Sequence, residues 1–254
     1  MVRFKPTTHQ ISSAIVLLVL ASAVMVVRGQ RNQAPPSIPP AAIAPAKPLK
    51  VARLPENLEL GPSNQTMVLA ALRQNDQQWL PRLQRMPNGK ARYTYKRRSG
   101  EPAKTLDQLK AMANNPPTHQ AQRQDIKDLL AELENAGATV VIAEPKKEEA
   151  AGEWNPRRGE LRISQSVVKQ GTVEFAKVLN HEAIHTAQSC AGGSIRSRPK
   201  PLGISREIDR QAMRALNKSL YGEITTQVRI LEEEAYANQD KLGMGRDLLM
   251  EHCI

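Results

Sequence analysis

The chain is poor in aromatic side chains: two Phe, two Trp and four Tyr make up 3% of its 254 residues. A core must therefore be built mainly from Leu, Val, Ile, Ala and Met. The hydrophobic fraction of 40% suffices for one large domain or two small ones. Cysteine is almost absent. Cys190 and Cys253 are the only two, and they lie far apart, which excludes a Cys-rich metal site. In an exported protein the pair can form one disulfide that ties the C-terminal tail to the segment around Cys190. Two unlinked thiols are equally compatible with the sequence. No internal repeat is visible. Basic residues interleaved with aromatics, the mark of RNA binding, are missing too. The net charge of +11, scattered along the chain, reads as a basic surface near an anionic one and not as a nucleic-acid site.

One uncharged apolar run stands out, from Ile11 to Val27, preceded by Arg3 and Lys5. A basic start followed by such a run is an export leader. Ala21-Ser22-Ala23 fits a cleavage site, yet the run continues past it and is long enough to span a bilayer. Residues 1–28 thus read as a signal peptide or a membrane anchor, and the expected location is the periplasm or the extracytoplasmic face of a membrane. Residues 29–52, with prolines from Pro35 to Pro48, read as an extended linker.

Residues 53–137 read as a mainly helical region. Thr66 to Leu80 suits a helix ended by Pro81, and Asn88-Gly89 is a turn before a short strand at Ala91 to Arg98. Leu106 to Met112 suits a short helix. Gln120 to Asn135 places Ile126, Leu129, Leu130 and Leu133 on one helical face, with Gly137 as its stop. From 138 onward the pattern changes. Ala138 to Ala143 is a β-branched strand, Glu144 to Glu153 a charged loop, and Glu160 to Ser164 an alternating strand. A helix follows from Thr172, its expected N-cap, to Ala191, closed by Gly192-Gly193. Helical patterning returns over Ser205 to Leu220 and over Thr225 to Leu242.

Chemistry concentrates at His181-Glu182-Ala183-Ile184-His185. Two histidines four apart on a helix project from one face, so both imidazoles can meet a single metal ion at about 2.0–2.1 Å. Glu182 sits about 100° round the helix. From there its carboxylate can take a proton from a metal-bound water without ligating the ion. A third protein ligand is needed. The candidates lie in Glu232-Glu233-Glu234, on the last long helix. With Val228, Leu231, Ala235 and Leu242 as its buried face, Glu233 points to solvent and Glu232 and Glu234 flank the core. Asn238, one turn after Glu234 and on the same side, favours Glu234 as the ligand, with Glu232 second. Tyr221, Tyr236, Arg229 and His252 are candidate donors to a developing oxyanion.

These residues resemble the gluzincin branch of the zincin metallopeptidases. In that branch H-E-x-x-H is followed, tens of residues later, by a Glu in a second helix, often opening an E-x-x-A/S-D pattern. Glu234 to Asn238 matches with Asn in place of Asp. The resemblance covers about residues 138 to 242. The chain as a whole is also similar to exported bacterial metallopeptidase-like proteins, which brings no substrate with it.

The resemblance implies an α+β fold: a mainly helical zincin-like domain with a small antiparallel sheet packed on the motif helix. Leu161 to Ser164 would be the edge strand along which an extended peptide lies. It implies Zn2+ held by His181, His185 and Glu234, catalysis by Glu182, and hydrolysis of peptide bonds in the cell envelope. The expected partners are a protein or peptide substrate, and a membrane through the N-terminal segment. Two alternatives stay open: a non-catalytic zinc-stabilised binding domain, and a hydrolase of peptidoglycan amides.

Overall fold

The computed structural model describes residues 51–98, 101–208, 210–216 and 225–253. The segment expected to be an export leader, nearly all of the proline-rich segment and Tyr221 lie outside these residues. Among the described residues no helix is long and apolar enough to cross a membrane.

The described chain opens with strand β1 (Leu58–Leu60) and helix α1 (Gln65–Asp76), which a short 3-10 turn extends to Trp79. Val68, Leu69, Ala71 and Leu72 form the buried side of α1. Strands β2 (Arg82–Arg85) and β3 (Ala91–Thr94) make a separate two-stranded hairpin. Gly89 in its turn has φ +76°, a conformation glycine adopts without strain. Helix α2 (Leu106–Asn114) starts from a capping box between Thr105 and Gln108. Helix α3 (Gln120–Asn135) buries the four apolar residues its periodicity predicts.

Strands β4 (Thr139–Ile142), β5 (Gly152–Asn155) and β6 (Glu160–Ile163) follow. Then come helices α4 (Gln165–Gln170), α5 (Thr172–Ala191), α6 (Arg210–Leu216), α7 (Thr226–Asn238) and α8 (Met244–His252). Among the described residues about 49% are helical and 12% are strand, a helix-dominated α+β fold.

The main sheet has the order β1-β4-β6-β5. β1 pairs antiparallel with β4, and β5 antiparallel with β6. The central pair, β4 and β6, is parallel, with Val140 opposite Leu161 and Ile142 opposite Ile163. The sheet expected to be antiparallel is therefore mixed. The segment after β4 crosses to the far edge, lays down β5 there, and returns through a tight turn as β6 beside β4.

This also corrects the expected edge strand. Leu161 to Ile163 lies inside the sheet, and the edge beside α5 is β5. Its sequence, Gly-Glu-Trp-Asn, shows no clear strand alternation, and its first two residues read as the end of the charged loop.

Helix α5 runs through the centre and packs against α3, α4, α7, α8 and β5. Phe175, Leu179 and Ile184 are fully buried along it. One core joins Leu72 of α1, Ile126 and Leu129 of α3, Leu161 of β6 and Leu179 of α5. That core therefore runs across residue 137.

The start of α5 differs from the expected N-cap. Thr172 is its first helical residue, and the preceding Gly171 has φ +89°. Asp76, at the end of α1, supplies the missing acceptor. Its carboxylate accepts from Thr172 N at 2.8 Å and Thr172 Oγ1 at 2.6 Å. A Cβ on Gly171 would collide with Asp76 Oδ1, so this long-range cap requires glycine. At the other end, Cys190 and Cys253 form a disulfide with Cα atoms 5.0 Å apart, tying α5 to the end of α8.

Candidate metal centre

The motif places His181 and His185, one turn apart on one face of α5, toward α7. His181 is 8% exposed and Glu182 5%. The Nε2 atoms of His181 and His185 are 3.2 Å apart. Glu232 Oε2 of α7 lies 3.5 Å from the first and 3.6 Å from the second. Four ligands at about 2.0–2.1 Å around a tetrahedral ion stand roughly 3.3 Å from one another. The three atoms are thus spaced as adjacent corners of one coordination sphere. His181, His185 and Glu232 could hold a metal ion.

The far side of each imidazole is also fixed. His185 Nδ1 is 2.7 Å from Gln188 Oε1, and His181 Nδ1 is 3.2 Å from Gln239 Oε1. An amide oxygen there holds the ring proton on Nδ1 and leaves the Nε2 lone pair for an ion. Gln188 in turn donates to Leu231 O at 3.0 Å and Glu234 Oε2 at 3.0 Å. It therefore couples His185 to the helix that carries Glu232. Tyr236 packs edge-on against the His181 ring, with centroids 4.7 Å apart.

No family model, curated protein or solved structure matches this chain. The geometry of the site is what its chemistry must be argued from.

The electrostatics fit a cation site. Burial by itself lowers the pKa of His185, but the facing Glu232 carboxylate, together with Glu182 and the Gln188 amide, more than offsets this and pushes it up to about 9. Burial likewise works to raise Glu232, yet the two imidazoles hold it well below the usual carboxylate range. In the absence of an ion, the raised pKa of His185 suits it to share a proton with the buried Glu232 carboxylate. Glu182 behaves in the opposite sense. Its pKa is raised, first by burial and further by the nearby Glu232 charge, against the pull of the imidazoles and of the Trp154 N–H that it accepts from. A carboxyl of raised pKa beside a cation site is suited to receive and return protons.

Strand β5 holds Glu182 in place. Ser164 N donates to Ala151 O at 3.0 Å, so the backbone of 151, 153 and 155 turns toward β6, and that of 152 and 154 toward the open edge. The Trp154 N–H on that edge meets the Glu182 carboxylate. Trp154 Nε1 also donates to Ser189 Oγ of α5 at 2.9 Å, which pins the strand to the helix. At Gly152 a Cβ would sit 2.7 Å from Glu182 Oε1. Only glycine lets the carboxylate lie against the strand. Above these groups a cavity of about 360 Å3 opens between β5, α7 and the loop after α5, with Arg198, Pro199, Gln227 and Val228 on the far wall.

The expected third ligand must be corrected. Glu234 is 1% exposed and turned away from the histidines. Its carboxylate accepts from Leu202 N at 2.9 Å and Gly203 N at 2.8 Å, anchoring the loop that follows α5. Asn238 does the same, donating from Nδ2 to Ser205 O at 2.8 Å. The misplacement has a clear cause. Val228 and Leu242, used to define the buried face of α7, are 39% and 48% exposed. The true buried stripe is Leu231, Glu234, Ala235 and Asn238, and it leaves Glu232 beside it, facing α5. Glu233, expected to point to solvent, is 20% exposed and paired with Arg229 at 3.1 Å.

None of the described oxyanion candidates lines the cavity. Tyr236 lies behind His181, Arg229 is engaged with Glu233, and His252 sits near Glu251 at the end of α8. Gln188 lies one turn beyond His185 on the same face, a spacing that is visible in the sequence. Nothing local in the sequence marks Gln239.

Proposed function

We propose that the protein is a zinc-dependent hydrolase of peptide bonds acting outside the cytoplasm, of the gluzincin type. The observation that carries this reading is the convergence of His181, His185 and Glu232 on one point, with Glu182 beside it but outside the triangle. Three protein ligands around one point leave an ion a further position for solvent. The donor set of two imidazole nitrogens and one carboxylate oxygen suits zinc. When bound, such an ion supplies Lewis acidity, lowering the pKa of a coordinated water to about 7 and polarising a carbonyl.

The chain's own groups do the rest. Glu182 accepts a proton in one step and returns it to the leaving amine, its carboxylate oriented by the Trp154 N–H. Gln188 and Gln239 keep the histidine rings turned so that Nε2 faces the site. The outward backbone of Gly152 and Trp154 offers an extended chain a place to pair along β5. The alternative of a purely structural ion has less support. It assigns no task to a buried carboxyl that ligates nothing. A disulfide at the end of α5 is in keeping with an oxidising compartment, as the N-terminal leader also suggests.

The test uses the full-length chain in detergent, with metal analysis and digestion of a peptide library read by mass spectrometry. The wild type is expected to bind zinc stoichiometrically and to cleave. Glu182→Gln is expected to keep zinc and lose about 10²–10⁴-fold in rate. His185→Ala is expected to lose both. Cleavage at an unchanged rate in Glu182→Gln would sink the mechanism.

A further inference from the structure

The excess positive charge, which reads as scattered along the chain, has one concentration. From Arg82 to Arg98 there are seven Lys and Arg residues and no Asp or Glu. The structure folds this stretch into the β2–β3 hairpin and the segment after it. Two of the cations are committed. Lys96 and Arg98 stack over the Trp79 ring, at 4.4 and 4.3 Å from its centre, and so fix the base of the hairpin to α1. The other five, Arg82, Arg85, Lys90, Arg92 and Arg97, are exposed and take part in no ion pair among the described residues.

The hairpin itself buries little. All four residues of β2 are exposed, and of β3 only Tyr93 is partly covered. Leu83 pairs with Tyr93 in register and is 48% exposed. Because side chains alternate across the ribbon, Leu83, Tyr93 and Arg85 share one face, and Arg82 and Arg92 the other. An isolated two-stranded ribbon gains little stability from its own pairing. A ribbon that carries four uncompensated cations, with Arg97 just beyond it, also repels itself. Its composition calls for an anionic surface with an apolar boundary.

We propose that the β2–β3 hairpin is a docking surface for an anionic phospholipid bilayer. Basic side chains are drawn to such headgroups, and a Leu–Tyr pair suits the boundary between headgroups and acyl chains. The sequence favours lipid over another polyanion. Read as a membrane anchor, the uncharged run from Ile11 to Val27, with the proline-rich segment after it, would keep the domain next to a membrane, whether or not the site on α5 is an enzyme. Docking would hold the cavity at a set height above the bilayer.

The test is made on the full chain. Cys190 and Cys253 are paired, so Gln84→Cys on β2 supplies a single labelling site for an environment-sensitive fluorophore. The labelled protein is reconstituted in vesicles of phosphatidylcholine alone and of phosphatidylcholine mixed with phosphatidylglycerol. With phosphatidylglycerol the emission is expected to shift to the blue and rise severalfold, and to return on adding salt. Replacing Arg82, Arg85 and Arg92 by Gln is expected to lower the docked-to-free ratio about fivefold per charge. The matching Lys triple should retain docking and so rules out misfolding as the cause. Equal emission in both lipids overturns the proposal. So does a shift produced in phosphatidylcholine vesicles by polyglutamate or an oligonucleotide but not by phosphatidylglycerol, which would identify an acidic protein or a nucleic acid as the partner.

Discussion

Glu232 and Glu234 stand two positions apart on α7 and face different partners. Glu232 Oε2 is 3.5 Å from His181 Nε2, whereas Glu234 holds the backbone of Leu202 and Gly203 at 2.9 and 2.8 Å. Their substitutions should therefore separate. Glu232→Ala removes one of the three proposed ligands, so zinc affinity should fall by at least 100-fold while the fold survives. Glu234→Ala leaves two backbone N–H groups and Gln188 without an acceptor. It should cost about 2–4 kcal/mol of stability, with a smaller loss of zinc affinity transmitted through Gln188. Zinc titration beside urea unfolding of both variants checks this. A larger affinity loss in Glu234→Ala than in Glu232→Ala would reverse the assignment.

The contrast also marks where the sequence is legible. The helices of residues 120–135 and 172–191 and the two histidines follow from periodicity and spacing, because long amphipathic segments carry their own pattern. The third ligand depends on how α7 is rolled against α5. That roll is set by Glu234 and Asn238, polar residues buried by the loop at 202–205, and a hydrophobic face drawn from Val228 and Leu242 points the wrong way. Strand β5 is silent for a similar reason. Gly152 permits the close approach of Glu182, and Trp154 bonds to Ser189, and neither role shows in strand propensity. Asp76, the distant cap of α5, has no local signature at all.

The disulfide closes a loop of 63 residues that contains α6, α7 and α8. Removing it frees the unfolded chain over that span, which corresponds to about 4 kcal/mol. Replacing Cys190 and Cys253 together by Ala should lower stability by that order. Zinc should bind with nearly unchanged affinity once the protein is folded, because neither sulfur is near the histidines' ligating atoms. Urea unfolding of the zinc-loaded and metal-free forms, with and without the bridge, checks both parts.

Asp125 of α3 holds the start of α8, accepting from Gly243 N at 2.7 Å, while its second oxygen is buried and unpaired. Burial raises its pKa, and Asp128 and Asp247 add to the rise, against the opposing effects of the Gly243 N–H and Arg246. In the unfolded chain the pKa is ordinary. Between the two values the folded state holds a proton that the unfolded state has released, so stability falls as pH rises through that window. Asp125→Asn keeps an oxygen for Gly243 and carries no charge. The variant should be more stable than wild type at neutral pH, with the gap closing toward acid. Unfolding measured across pH decides it, and a gap that widens in acid would contradict the sign.

Gly152→Ala tests the catalytic reading without touching a ligand. The new Cβ would stand 2.7 Å from Glu182 Oε1, 2.8 Å from Val178 Cγ1 and 2.9 Å from Glu182 Cγ. Glu182 is buried, so its carboxylate cannot swing into solvent. It must slide along the strand and away from the Trp154 N–H. Overpacking of this kind costs about 1–3 kcal/mol, which a compact domain tolerates. His181, His185 and Glu232 stay where they are, so zinc should remain stoichiometric. A proton acceptor displaced by a fraction of an ångström to an ångström should slow hydrolysis by about 100-fold. The decisive pair of measurements is zinc content and peptide cleavage in the same preparation. Full zinc with full activity would show that the position of Glu182 against β5 has no part in the chemistry.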